Sequence, residues 1–507
     1  MSKQKKPHFI LNLKLHTEKY QEDILYRRFE IARQVYNSVL GIALNRYKEL
    51  IKTKVWRNNQ LELSKIYKSN KNDKDLKKIC KPYYDIKTNL LKQYKLTEYS
   101  LHSDIKPMQH HFKKNIDSFT AQKIASRVWN AINDNLFGKG EEVHFKSFYQ
   151  GLDSVEGKSN KTGIRYDIQN NVLIWNGLKI PAQLDINNMY EINALRNKIC
   201  YCRIKRKFIR SKYKYILQLV LEGIPPIKID KSTGEIRNDI GDGKVGIDIG
   251  TQTIAYVSDY NTKLLELAPR VQNIENEKRR IQRYMDRGKR SMNPNNFNKN
   301  GTIKRGIKLE WNFSNRYIKA KNILKDLYRK QADIRQQDHN ILANEILKNG
   351  NEIYVENMNY KGLQARSKKT EKNEKGKFKK KKRFGKSLAN KAPAMFLTIL
   401  KNKIEQKGGQ YKEINTWKVK ASQYNHLNHK YNKKKLSQRW KYFKYKNEDI
   451  KIQRDLYSAF LIMNVNNDLK SINNEECESK FDKFIEMHNK EINRLEELEN
   501  NLSSMGI

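Results

Sequence analysis

Cysteine is scarce in this chain. Four residues in 507, Cys80, Cys200, Cys202 and Cys477, form no C-x-x-C pair, so neither a disulfide framework nor a standard zinc ribbon can be drawn. They read as small residues of a reducing cytosol. Long apolar runs are also missing. No stretch of 18 apolar residues occurs, which excludes a hydrophobic spanning helix, and the opening Met-Ser-Lys-Gln-Lys-Lys-Pro lacks the apolar core of a secretory signal. The expectation is a soluble, cytoplasmic protein with no membrane partner. Acid is in short supply as well: 55 Asp and Glu face 103 Lys and Arg, a net charge of +48. Self-repulsion on that scale calls for a polyanion, and nucleic acid is the default one. Hydrophobic residues reach only 37%, yet 10% aromatics argue for a folded chain, because disordered chains have few rings to bury.

The patterning divides the chain. Phe9, Leu11, Leu13 and Leu15 alternate with Ile10, Asn12 and Lys14, a half-buried strand. From Glu18 to Lys52 apolar residues fall at helical spacing, and a Lys/Asn-rich stretch from Lys68 to Lys78 reads as a solvated loop or frayed helix. Ala121, Ile124, Val128, Trp129 and Ile132 share one face of a further helix. Beyond Gly138 the pattern becomes β, with alternation at Tyr213, Tyr215, Leu217, Leu219 and Leu221. From Lys244 the reading is α/β. Lys361 to Gly385 carries twelve Lys or Arg and two Glu, a low-complexity basic loop. The tail from Ser471 is acidic and reads either as an amphipathic helix packed on the body or as a solvated appendage.

Three acids stand out. Asp248 sits within Val245-Gly246-Ile247-Asp248-Ile249, Glu356 follows Ile353-Tyr354-Val355, and Asp455 precedes an apolar helix. Burying an unpaired carboxylate costs several kcal/mol, and open α/β sheets place functional groups at strand ends. Three carboxylates at one point would repel, and hard divalent cations such as Mg²⁺ or Mn²⁺ relieve that. Two such ions can activate water and stabilise a leaving oxygen in phosphodiester hydrolysis. Any one of the acids alone also fits a helix cap or an ion pair with one of the many lysines.

Gly246-Ile247-Asp248-Ile249-Gly250-Thr251, Val355-Glu356-Asn357-Met358 and Arg454-Asp455 resemble the three split motifs of a RuvC-like nuclease, spaced 108 and 99 residues apart. Arg33-Gln34-Val35-Tyr36-Asn37, Phe145-Lys146 and Arg335-Gln336-Gln337-Asp338-His339 make the surroundings similar to TnpB and the small type V CRISPR effectors, a likeness running to about Asn467. The resemblance implies a multidomain α+β and α/β chain. A β-barrel-like wedge domain with a helical recognition insertion would precede a RuvC (RNase H-like) α/β nuclease domain. The implied boundaries are a first wedge strand at 1–16, a helical recognition domain at 17–138 and the rest of the wedge at 139–240. The nuclease domain would span 241–417, including the basic loop 361–385, with a target-binding insert at 418–450. The third RuvC motif would lie at 451–470 and the acidic tail at 471–507.

The resemblance further implies an RNA-guided DNA endonuclease that reads a short motif beside its target, with Asp248, Glu356 and Asp455 as catalytic metal ligands for Mg²⁺ or Mn²⁺. Its partners would be a guide RNA and double-stranded target DNA, held as a heteroduplex with a displaced single strand, and the expected state is a monomer. Departures are specific. Aligning Ser422-Gln423 and Arg439-Trp440 puts Asn425, Asn428, Tyr442 and Tyr445 where the family's zinc-ribbon cysteines would be, so zinc is expected to be absent there. His426 and His429 could recruit a metal but read better as surface or phosphate contacts. Gln453 and Tyr457 replace an expected Asp and Asn. Trp440-Lys441-Tyr442-Phe443-Lys444-Tyr445 suits phosphate contact and base stacking. Two other readings compete: an RNA-guided DNA-binding protein or repressor that does not cut, and a structural RNA-binding protein whose charge explains everything.

Overall fold

The computed structural model describes residues 6–69, 75–137, 140, 142–230, 232–372, 376, 378, 384–433, 438–498 and 505–506. Parts of the predicted segments lie outside them: 1–5 of the segment 1–16, 70–74 of the Lys/Asn-rich stretch, 138 of the segment 17–138, 139, 141 and 231 of the segment 139–240, 373–375, 377 and 379–383 of the basic loop, 434–437 of the segment 418–450, and 499–504 and 507 of the tail. The chain divides into two compact units, Met1–Pro226 and Ile227–Ile507.

In the first unit, β1 (His8–Leu15) is followed by six helices: α1 (Lys19–Lys52), α2 (Lys54–Ser69), α3 (Leu76–Gln93), α4 (Glu98–Asp104), α5 (Lys106–His111) and α6 (Ser118–Leu136). Strands β2 (Ser154–Glu156), β3 (Arg165–Asp167), β4 (Val172–Trp175), β5 (Leu178–Gln183), β6 (Ile199–Ile209) and β7 (Lys212–Glu222) complete a mixed α/β unit, with α7 (Met189–Leu195) before β6. The sheet is antiparallel in the order β2-β6-β7-β1-β5-β4-β3. The alternation read in β1 is realised: Phe9, Leu11, Leu13 and Leu15 are buried, opposite Leu221, Leu219 and Leu217 for the first three. The sheet curls into a half-barrel, and Asn160 ties its ends. The Asn160 carboxamide accepts from Tyr166 N (2.7 Å) on edge strand β3 and from Cys202 Sγ (3.1 Å) on β6. Helix α1 begins with a capping box of Glu18 and Gln21 and lays Leu25, Phe29, Val35, Val39 and Leu40 against the sheet.

The second unit is built on a five-stranded sheet: β8 (Lys244–Ile249), β9 (Thr253–Ser258), β10 (Thr262–Glu266), β11 (Glu352–Glu356) and β12 (Gln410–Ile414). Their order is β10-β9-β8-β11-β12; the first three are antiparallel, and β11 runs parallel to both β8 and β12. Between β10 and β11 lies a helical hairpin, α8 (Val271–Met292) and α9 (Asn315–Leu347). Helices α10 (Tyr360–Gln364), α11 (Gly385–Lys391) and α12 (Pro393–Gln406) precede β12. After it come α13 (Thr416–Val419), the hairpin β13 (Tyr424–Asn425) and β14 (Lys430–Tyr431), and the hairpin β15 (Trp440–Tyr445) and β16 (Glu448–Gln453). Helices α14 (Arg454–Met463) and α15 (Asn474–Glu496) follow.

Alternation along the strands sorts the two faces. Val245, Ile247, Ile249, Ile353 and Val355 pack against Leu342, Ile346, Phe396 and Leu400 of α9 and α12. Gly246, Asp248, Tyr354 and Glu356 therefore belong to the opposite face, toward α14. Gly246 allows that helix to lie directly on β8: a Cβ there would sit 2.1 Å from Ala459 O and 2.3 Å from Met463 N. The acidic tail is settled by packing. Helix α15 buries Cys477, Phe481, Phe484, Ile492 and Leu495 beside α14 and is no solvated appendage, although Leu498 is exposed.

Candidate functional site

The three acids arrive at one place by three local routes. Asp248 is the fifth residue of β8, and Glu356 ends β11 one step beyond the Val355–Ile247 pair, so the two stand side by side on adjacent parallel strands. Asp455 is the second residue of α14, delivered there by the close crossing at Gly246. All three line a cleft of about 470 Å³ with Gly250, Thr251, Met358, Ser422, Gln423, Lys433, Arg439 and Arg454.

Electrostatics differ within the trio. Burial, then Asp455, then Glu356 push the Asp248 carboxyl well above the usual carboxylate range, against the opposing pull of Arg454 and Ser458. Burial raises Glu356 to about 7. Among the described residues, neither of these acids has an ion-pair partner. Asp455 is held by two guanidinium groups. Arg454 donates to its Oδ1 at 3.0 and 3.1 Å, and Arg439 to its Oδ2 at 3.3 Å. Among the described residues no three His, Cys, Asp or Glu side chains are placed to hold one ion as they stand. Two of the acids share the strand edge, while the oxygens of the third are turned to arginine.

Both departures at the third motif have structural work. Gln453 caps α14, its side-chain oxygen accepting from Asp455 N (2.6 Å) and Leu456 N (2.9 Å). The Tyr457 hydroxyl meets His426 Nδ1 at 2.6 Å and accepts from His426 N at 3.2 Å. His426 is fully buried, not a surface contact, and burial lowers it to about 4. Its ring stands edge-on to Phe481 (4.5 Å) within a cluster of Phe443, Tyr445, Tyr457, Phe460 and Phe484. His429 is exposed. The side-chain oxygens of Asn425 and Asn428 accept from Leu427 N and Lys430 N inside their turn. Tyr442 points to solvent, and the Tyr445 ring meets Phe481 at 4.9 Å. Of the expected stacking strand, Phe443 and Lys441 are buried, and Trp440 donates to Gly506 O (2.8 Å) beneath Lys451.

Two residues were not singled out from the sequence. The Tyr360 hydroxyl is buried without a hydrogen-bond partner among the described residues and is raised by burial and by Asp248 and Glu356 nearby. Trp417 stands at the surface just past β12. The first carries no sequence signal beyond its distance of four positions from Glu356, and nothing in the sequence distinguishes an exposed Trp from a core one.

No family model matches the chain. No curated protein matches it in sequence. Among solved structures, it is similar to a Cas12f1–sgRNA–target DNA complex at 10% identity and a TM-score of 0.40, with 90% of this chain and 98% of that chain covered. It is also similar to a CRISPR-Cas12f ternary complex at 15% identity and a TM-score of 0.24, covering 86% of this chain and 81% of the other. No helix among the described residues is long and apolar enough to cross a membrane.

Proposed function

We propose that this chain is an RNA-guided DNA endonuclease of the TnpB and small type V effector kind, cleaving through Asp248, Glu356 and Asp455. The observation that carries the reading is that acids 108 and 99 residues apart in sequence line one cleft in a chain of net charge +48. The sheet order, an antiparallel meander continued by two parallel strands, supports a RuvC, RNase H-like second unit. The curled sheet with its helical insertion supports wedge and recognition parts in the first.

The donor set fits a hard divalent cation. Asp248 and Glu356 offer oxygens whose mutual repulsion a cation would relieve, and Asp455 can join them when it exchanges its arginines. Bound there, Mg²⁺ or Mn²⁺ would supply Lewis acidity toward water and the leaving oxygen. Arg439 and Arg454 bring positive charge to the cleft wall, where backbone phosphates would be received. Partners are a guide RNA and double-stranded DNA, drawn in by charge, acting with a monomer. Zinc forms no part of this reading, since Asn425, Asn428, Tyr442 and Tyr445 supply no thiolate and an aromatic cluster stands beside them.

The pairing of Asp455 with two arginines favours a second reading, a guided DNA-binding protein or repressor that does not cut. One assay separates the two. RNA co-purified with the protein is sequenced, and a plasmid carrying the matching target is incubated with the complex in excess Mg²⁺. Cutting by the wild type and binding without cutting by Asp248→Ala support the nuclease. An intact plasmid despite measurable binding establishes the repressor, and cutting by Asp248→Ala refutes the assigned site.

A further inference from the structure

Six tryptophans occur in the chain, and five are buried or half-buried; Trp417 alone is exposed, at 88%. Its indole meets no ring, cation or hydrogen-bond partner among the described residues. An indole left in water forgoes a large burial gain, so its placement calls for an occupant from outside the chain.

The backbone beneath it is held firmly. Asn415 caps α13, its side chain accepting from Lys418 N (3.2 Å), and Asn415 N donates to Leu469 O (2.8 Å). Val419 and Ala421 are both fully buried in the core. The loop is thus anchored on either side of an outward-facing ring. Its neighbourhood is the cleft. Thr416 Oγ1 reaches Asn357 O (3.5 Å), next to Glu356, and the chain runs on from Trp417 to Ser422 and Gln423 in the cleft wall. Lys418 and Lys420 follow Trp417 in the chain and are both exposed, and Lys420 lies over the exposed Tyr431 (5.9 Å). An anchored aromatic plane followed by two exposed lysines is complementary to a nucleobase with its adjoining phosphates.

We propose that Trp417 is a base-stacking platform for single-stranded nucleic acid at the mouth of the acid cleft. It positions a strand through one base, while Lys418 and Lys420 take the flanking phosphates. The proposal rests on reading the cleft as a nucleic-acid site, but not on cleavage.

The test is done on the full chain in EDTA, with an oligo(dT) of about ten nucleotides, a typical single-strand site size, and an abasic deoxyribose-phosphate strand of equal length. Trp417→Ala is expected to weaken oligo(dT) binding by about tenfold and to leave binding of the abasic strand unchanged. Trp417→Phe should recover most of the loss, and oligo(dT) should quench the solvent-exposed tryptophan emission of the wild type but not of Trp417→Ala. Unchanged oligo(dT) affinity in Trp417→Ala overturns the proposal, as does an equal loss on the abasic strand. A protein that never cuts DNA yet binds oligo(dT) through Trp417 loses the nuclease reading and keeps this one. A protein that cuts, with Trp417→Ala binding normally, does the reverse.

Discussion

Asp455 and Tyr457 lie on one helix, yet their surroundings handle polar groups in opposite ways. At the cleft, Asp248 and Glu356 have no ion-pair partner among the described residues and carry raised carboxyls, whereas Asp455 is paired with two arginines. In the aromatic cluster, His426 is just as enclosed but shares its Nδ1 with the Tyr457 hydroxyl and stays neutral. The hydroxyl serves Nδ1, while His426 Nε2 has no hydrogen-bond partner among the described residues, so a single ring is only half satisfied. Holding Asp248 and Glu356 at a strand edge with no ion-pair partner among the described residues is a cost to stability that a bound cation would remove.

That contrast can be broken or sharpened by substitution. The largest effect should be catalytic: Asp248→Ala lowers plasmid cleavage by about 10²–10³-fold or more while guided binding persists, measured by cleavage rate and gel shift. Next is Phe481→Ala, which empties the centre of the aromatic cluster and should cost about 3–5 kcal/mol in denaturant unfolding without touching the cleft. A loss below about 1 kcal/mol would mean that the cluster is not what stabilises α15 on α14. Tyr457→Phe leaves His426 Nδ1 and its backbone N–H without their partner and should cost about 1–3 kcal/mol in the same assay. Asp248→Asn should act the other way and stabilise the cation-free protein by about 1 kcal/mol, seen as a higher Tm in EDTA.

A further effect is one of pH, and its sign differs between the two regions. Glu356 is raised to about 7 by folding, so the native state holds the extra proton and stability falls as pH rises from about 4.5 to 7. His426 is lowered to about 4, so the unfolded state holds the extra proton and stability falls as pH drops from about 6.5 to 4. Glu356→Gln should reduce the first slope, which the raised Asp248 shares, and Mg²⁺ should flatten it, whereas His426→Phe should reduce the second, which the buried His339 and His488 share. Stability profiles in which Glu356→Gln changes nothing would show that Glu356 is not buried beside Asp248.

Much of the second unit was legible because its elements obey simple periods. The β8 strand around Asp248 and the strand before Glu356 both follow from apolar spacing. The acids were legible too, since a carboxylate within an apolar run is conspicuous. What periodicity cannot convey is partnership. The burial of His426 depends on Tyr457 from 31 positions away, and the enclosure of α15 depends on rings brought in by β15 and α14. Asn425 and Asn428 look like lost metal ligands in the sequence and prove to be turn residues holding backbone N–H groups.

By itself the sequence determined the charge, the alternation that sends Gly246, Asp248, Tyr354 and Glu356 to one face, and the helical stripes that cover the sheet, because these depend only on neighbours along the chain. The tertiary structure alone decided that α14 would cross β8 at Gly246 and carry Asp455 to the other two acids, and that arginines would hold it there. Close approach between distant segments is a property of packing, where one missing Cβ sets how near a helix can come to a strand.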